Sequence, residues 1–272
     1  MDIRLPRDPR WLQIAVLGGL LAYGVAILEF GVSPLRVSLV VGAALGAQAA
    51  FSWGFQLARF DPKSALITSF SLSLLLRTPD ELTAVGAAVI AIASKFLIRF
   101  RNKHVFNPAN IAIVLCLMTG SGWVAPGQWG SVALFALALG GCGVFVTARS
   151  ARADVTFAFL GCYGLLLVGR ALWLGDPLSI PLHTLQSGAV VLFAFFMISD
   201  PKTTPSARTG RLIFAAFIAA TTFAIQFTLY RSDGVMWALA LAALFVPVLD
   251  HIFNAERYRW PALRSGEHHV AA

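Results

Sequence analysis

The chain has 272 residues, of which 58% are hydrophobic and 12% charged, against roughly 25% charged in soluble domains. Its mean hydropathy of +0.75 leaves no room for a sizeable soluble domain. The net charge of +8 is better explained by membrane topology than by nucleic acid. Three cysteines, Cys116, Cys142 and Cys162, lie singly in apolar runs with no C-x-x-C pair and no metal-ligand spacing, so no metal site is expected.

Apolar runs bounded by Pro, Gly and charge predict ten segments, at about 11–30, 36–57, 64–76, 81–100, 107–119, 129–148, 154–174, 183–199, 211–230 and 234–253. A span needs ~20 apolar residues, and the third, fifth and eighth segments fall short of that. Residues 1–10 are basic, but the apolar run from Trp11 continues without a small-residue cleavage site, so no cleavable signal peptide is expected.

Positive charge tests this division. With the N-terminus inside, sixteen of the 21 basic residues fall on the inner side, among them Arg10, Lys63, Arg99, Lys103, Arg152, Lys202 and Arg211. Three (Arg36, Arg77 and Arg231) fall outside, and Lys95 and Arg170 lie within segments. Such a bias, alternating loop after loop, is what the positive-inside rule requires. The predicted fold is therefore an all-α integral membrane protein of ten spans with both ends cytoplasmic. It is a single polytopic domain over 1–272 with a short cytoplasmic tail at 254–272. Trp123, Trp129 and Trp173 fall at the outer boundary, and Trp11, Trp53 and Trp260 near the inner one, as interfacial belts do.

Five spans per half force the second half upside down relative to the first, giving inverted repeats at about 11–120 and 129–253. The third and eighth segments occupy matching places. Ser64-Ala-Leu-Ile-Thr-Ser69 leads through a Leu-rich run to Arg77-Thr78-Pro79, and Gln186-Ser187-Gly188 leads to Ser199-Asp200-Pro201. Broken segments in corresponding positions point to a site near the midplane, because unwound backbone survives in a bilayer only where it lines a cavity. Thr68, Ser71, Ser187 and Asp200 are the expected polar lining around the pseudo-twofold axis.

The densest polar cluster of the first half is Arg99-Phe-Arg-Asn-Lys103-His104-Val-Phe-Asn107-Pro108-Ala109-Asn110. Pro108 suits a first helical turn, Asn107 its N-cap, and Asn110 lies one turn along. The stretch reads either as a capped helix start holding anionic lipid headgroups, or as a helix N-terminus facing an anionic ligand such as phosphate or the uracil-like edge of a flavin. His104, Asn107 and Asn110 are its candidate contacts. Asp250, after Pro247, is a further acidic candidate, whereas Lys95, one turn from Arg99, reads as a structural residue that snorkels inward. No nucleophile–base constellation is visible, and the histidines do not favour a bis-His haem.

With these residues in view, the chain resembles the NqrB/RnfD family, the membrane subunits of the sodium-pumping quinone reductase and of Rnf electron-transport complexes. The resemblance rests on Ser64-Ala-Leu-Ile-Thr-Ser69, Phe106-Asn-Pro-Ala-Asn110, Phe196-Met-Ile-Ser-Asp-Pro201, Asp233-Gly-Val-Met-Trp237 and Phe245-Val-Pro-Val-Leu-Asp250, in that order. It implies a ten-helix inverted repeat and electron transfer through a membrane-held flavin. Family members carry FMN on a threonine in a Ser-Gly-Ala-Thr-like sequence after the fifth helix. The corresponding stretch here, residues 119–130, has no such motif, and Ser187-Gly188-Ala189 is followed by Val190. The chain thus looks like a shortened, stand-alone branch, similar to the membrane proteins found beside enediyne-type biosynthetic genes. The expectation is a noncovalent flavin, FMN or riboflavin, between the repeats, in a subunit of a redox-driven electron-transport complex. The bilayer and a redox partner or sister subunits are the expected partners, without nucleic acid. The alternative is a channel or facilitator for a small neutral solute or a flavin-like vitamin; a scaffold subunit without cofactor is a third possibility.

Overall fold

The structure is a computed structural model that describes residues 8–28, 31–57, 60–101, 103–125, 152–256 and 258. The expected sixth segment and most of the tail lie outside these residues. The described chain is mostly helical. In order it contains α1 (Pro9–Ala26), α2 (Pro34–Gly54), α3 (Lys63–Leu75), α4 (Glu81–Leu97), α5 (Pro108–Met118), α6 (Ala153–Leu174), α7 (Ser179–Leu185), α8 (Gly188–Leu192), a π-helical turn (Phe193–Met197), α9 (Arg208–Thr228) and α10 (Gly234–Ile252).

Several helix starts are written locally in the sequence. Asp8, Ser33, Asp80, Asn107 and Ser187 each accept a backbone N–H of the first turn through the side chain, and Pro9, Pro34 and Pro108 follow three of these caps. Among the described residues, four helices (α2, α6, α9 and α10) are long and apolar enough to cross a membrane. The pair formed by α7 and the α8–π stretch, bent by 49°, makes a fifth if it is one span. α3 and α5 are shorter apolar helices.

The helices pack through narrow faces of small residues, as expected where lipid tails offer no hydrophobic drive between helices. α2 buries Val40, Ala44, Gln48 and Ser52, a row at four-residue spacing. It packs on α4, whose inner face carries Ala84, Ala87, Ala88, Ala91 and Lys95. α4 in turn packs on α5. In the second half α6 packs on α9 and α9 on α10, with Phe159, Phe193 and Phe214 at the centre. Large apolar side chains point outward instead: Trp53, Leu82, Leu165 and Trp173 are 75% or more exposed. A surface of that kind suits acyl chains rather than water.

Two short antiparallel pairs interrupt the helical pattern. β1 (Leu76–Arg77) follows the end of α3 and pairs with β4 (Trp123–Val124), while β2 (Arg99–Phe100) pairs with β3 (Lys103–His104) in a tight hairpin after α4. The first pair leaves no space beside Gly122, where a Cβ would sit 2.8 Å from the Arg77 carbonyl oxygen and 3.0 Å from a Leu76 methyl. At Gly46 a Cβ meets nothing within 4 Å. Gly122→Ala is expected to destabilise the protein by ~1–3 kcal/mol in a detergent melt, whereas Gly46→Ala leaves the melting temperature unchanged or higher.

Candidate functional site

A polar cavity of about 240 Å³ opens where the interrupted elements of the two halves meet. From the first half it is lined by the start of α1, by one face of α3, by the ends of α2 and α4, by His104 and by the N-terminus of α5. From the second half come Phe195 and Phe196 of the π-helical turn and the following Ser199-Asp200-Pro201-Lys202. On α3, Ser64, Thr68 and Ser71 are four and three residues apart, so one helix face carries all three hydroxyls toward the cavity.

Of the residues singled out from the sequence, Thr68, Ser71, His104, Asn107 and Asp200 line this cavity together. Asn110 and Ser187 do not. Asn110 is fully buried and donates from Nδ2 to the Met236 carbonyl on α10 (3.0 Å), joining α5 to the second half. Ser187 caps α8 by accepting the Val190 N–H (3.4 Å) at the bend after α7. Asn107 also reaches across the halves, with Nδ2 3.5 Å from the Met197 carbonyl.

His104 is held by the β2–β3 hairpin, with Nδ1 3.0 Å from the Lys95 carbonyl oxygen. A carbonyl only accepts, so Nδ1 carries the proton and the other ring nitrogen is an acceptor. Burial, reinforced by the charges of Arg99 and Lys95, brings the imidazole down to about 4. Burial pushes the Asp200 carboxyl up, against the Lys202 N–H and the charges of Lys202, Lys103 and Lys95. Asp200 is half-buried and meets solvent-sized space through the cavity. At the inner rim, Arg10 bridges Asp8 and Asp61 at 2.7 Å each, and Lys63 lies 3.2 Å from Asp61.

Sequence reasoning set Lys95 aside as a snorkelling residue, and the structure places it in the cavity wall. It is 5% exposed and donates to Gln48 Oε1 (2.6 Å) and Ser64 Oγ (3.1 Å). Its place in the last turn of α4 is equally that of a snorkelling residue, so no local signal set it apart. Asp250 has a different role: it pairs with Lys103 (2.8 Å) and accepts the Ser206 N–H (2.7 Å), while Lys103 also donates to the Thr204 carbonyl. That network ties the hairpin to the second half beside a smaller cavity of about 140 Å³.

Outward-facing apolar helices around a polar, charged cavity define a multi-pass membrane protein. The chain belongs to the NQR2, RnfD, RnfE family, whose model matches residues 117–259. That match takes in the Phe196–Pro201, Asp233–Trp237 and Phe245–Asp250 motifs, whereas the first-half motifs lie before it. The RnfD proteins of the ion-translocating oxidoreductase complexes of Escherichia coli O1:K1 / APEC and of Escherichia coli O81 (strain ED1a) are each 33% identical over 143 residues. Their counterpart from Citrobacter koseri is 31% identical over 142 residues. In each case the similarity covers 52% of this chain and 38% of the relative, so the chain matches well under half of their length.

The His104 environment sets a pH dependence. An unfolded chain takes up the imidazole proton near 6.5, but the folded protein refuses it until about 4. This contribution to stability is therefore complete above 6.5 and lost as the pH falls through that window. Melting temperatures measured across the window should fall, and His104→Asn, which keeps a donor for the Lys95 carbonyl, should flatten the fall.

Proposed function

We propose that this chain is a membrane subunit of an electron-transfer assembly of the kind for which its relatives are named, and that its cavity holds a noncovalent flavin, FMN or riboflavin. The observation that carries the reading is the cavity itself: in a chain of this family, it gathers Thr68, Ser71, His104, Asn107 and Asp200 from both halves where helices are interrupted.

The ten-span, five-plus-five inverted repeat belongs to the same reading. Its support is the charge alternation of the sequence and the repeated packing order, α2 on α4 on α5 in one half and α6 on α9 on α10 in the other. The bacterial relatives support a bacterial inner membrane, and the same alternation supports cytoplasmic termini. Sister electron-transport subunits or a redox partner protein would receive or supply the electrons.

The lining residues fit a polar heterocycle. His104 offers an acceptor nitrogen, Asp200 a carboxylate, Lys95 an ammonium and Ser71 a hydroxyl, between the Phe195 and Phe196 side chains and α3. The volume lies just below the ~300 Å³ at which drug-sized ligand pockets begin, which suits a ring system. A bound flavin would supply the redox chemistry, and the protein would tune it by hydrogen bonds and nearby charge. In this reading His104, Asn107, Thr68, Ser71 and Asp200 bind and orient the ring. Asn110 and Ser187 hold the helices that carry them.

Noncovalent attachment is supported by residues 119–130, which lack the Ser-Gly-Ala-Thr-like motif. The facilitator reading draws on the hydroxyl row of α3, but Lys95 and Asp200 in the same wall weigh against a path for neutral solutes.

The test is a visible absorption spectrum of the detergent-purified protein before and after acid precipitation. Flavin absorbance that moves into the supernatant is the expected result. Colour retained by the pellet would contradict noncovalent attachment, and a folded, colourless protein that takes up no added flavin would contradict the reading.

A further inference from the structure

Two charged groups face the cavity from opposite halves of the chain, and neither touches an opposite charge among the described residues. Lys95, near the end of α4, is 5% exposed. Its ammonium has three N–H donors; Gln48 Oε1 takes one at 2.6 Å and Ser64 Oγ another at 3.1 Å. The third finds no hydrogen-bond acceptor among the described residues. Gln48 is itself oriented, because its amide nitrogen donates to Ser52 Oγ (3.3 Å). The Asp200 carboxylate accepts the Lys202 N–H at Oδ1 (2.9 Å), and its Oδ2 accepts nothing among the described residues. Lys95 and Asp200 line the same cavity, yet no ion pair joins them.

A buried ammonium and a half-buried carboxylate both lose hydration, and that loss is normally recovered by direct pairing with further hydrogen bonds. Here the two line one cavity without pairing. The Gln48–Ser64 cradle fixes the ammonium, and the turn after the π-helical segment fixes the carboxylate, where Thr203 and Thr204 N–H groups bond to the Asp200 carbonyl (3.1 Å each). Each ion is thus preorganised with one unused site.

We infer that Lys95 and Asp200 form a donor–acceptor clamp that selects the cavity's ligand by polarity, setting the ammonium against a ring carbonyl and the carboxylate against a ring N–H. The pyrimidine edge of an isoalloxazine carries both groups side by side. A quinone of similar size offers carbonyl oxygens but no N–H, and would leave Asp200 unsatisfied, which a buried site penalises strongly. The clamp rests on the flavin reading above and names the edge of the flavin that this site reads.

The test is a fluorescence titration of riboflavin and of N3-methylated riboflavin into the purified full-length protein. The methyl group removes the N–H offered to Asp200, so wild type should prefer riboflavin by about tenfold or more in Kd. Asp200→Ala should bring the two ligands to near-equal affinity. Lys95→Met, which keeps the length of the stem, should weaken both by about 10–100-fold and leave their ratio intact. The wild-type comparison needs no variant to fold, and melting curves show whether each variant does. Equal wild-type affinity for the two ligands, or riboflavin binding unchanged by Lys95→Met, would overturn the clamp while leaving the flavin reading standing. Failure of wild type to bind riboflavin would overturn both.

Discussion

Backbone polar groups freed by a broken helix must find partners inside the protein, because the bilayer core offers none. The rest of this structure depends on how its two breaks meet that demand. At the end of α3 the Arg77 side chain donates to the carbonyls of Ser73 (3.0 Å), Leu74 (3.3 Å) and Leu76 (3.2 Å). The Leu75 carbonyl takes the Ala125 N–H (2.8 Å) beside the β1–β4 pair. In the second half, the π-helical turn shifts the Ile198 N–H onto Phe193 (3.0 Å), which frees the Ala194 carbonyl. Thr156 of α6 donates to it (2.6 Å), Ser199 donates to the Phe195 carbonyl, and Asn107 approaches Met197.

Those satisfied breaks are what make a polar cavity possible among apolar helices. α3 ends early enough to turn its hydroxyl face toward α5, and the π-helical turn carries Phe195, Phe196 and Asp200 to the same place. The small side chains between α2 and α4 let Gln48 reach Lys95. Contacts between halves then fix the space: Asn110 on Met236, and Lys103 on Thr204 and Asp250. A helix bundle without such breaks would fill this volume with side chains. Binding in the proposed site is thus a consequence of backbone economy as much as of the residues that line it.

Much of this was legible in the sequence because its signals are local. The Asn107–Pro108 helix start, the short third segment and the hydroxyls of Thr68 and Ser71 within it are all written within a few residues. The features that escaped are nonlocal. The π-helical turn occupies an aromatic run with no breaker, and its donor, Thr156, lies 38 residues away in sequence. Lys95 shows its role only through Gln48, 47 residues distant. The β1–β4 pair joins strands that no periodicity connects, since each is two residues long. Asn110 carries the right residue type for a ligand contact, but its helix faces α10.

The central claim, that the hydroxyl face of α3 lines a ligand-accessible cavity, is tested most directly by thiol labelling. Thr68→Cys in a background with Cys116, Cys142 and Cys162 replaced would be treated in membranes with a small charged methanethiosulfonate, with and without riboflavin. The expected result is labelling that riboflavin slows. Labelling at the same rate with saturating riboflavin, or a thiol as inert as one placed on the lipid-facing side of α2, would contradict it.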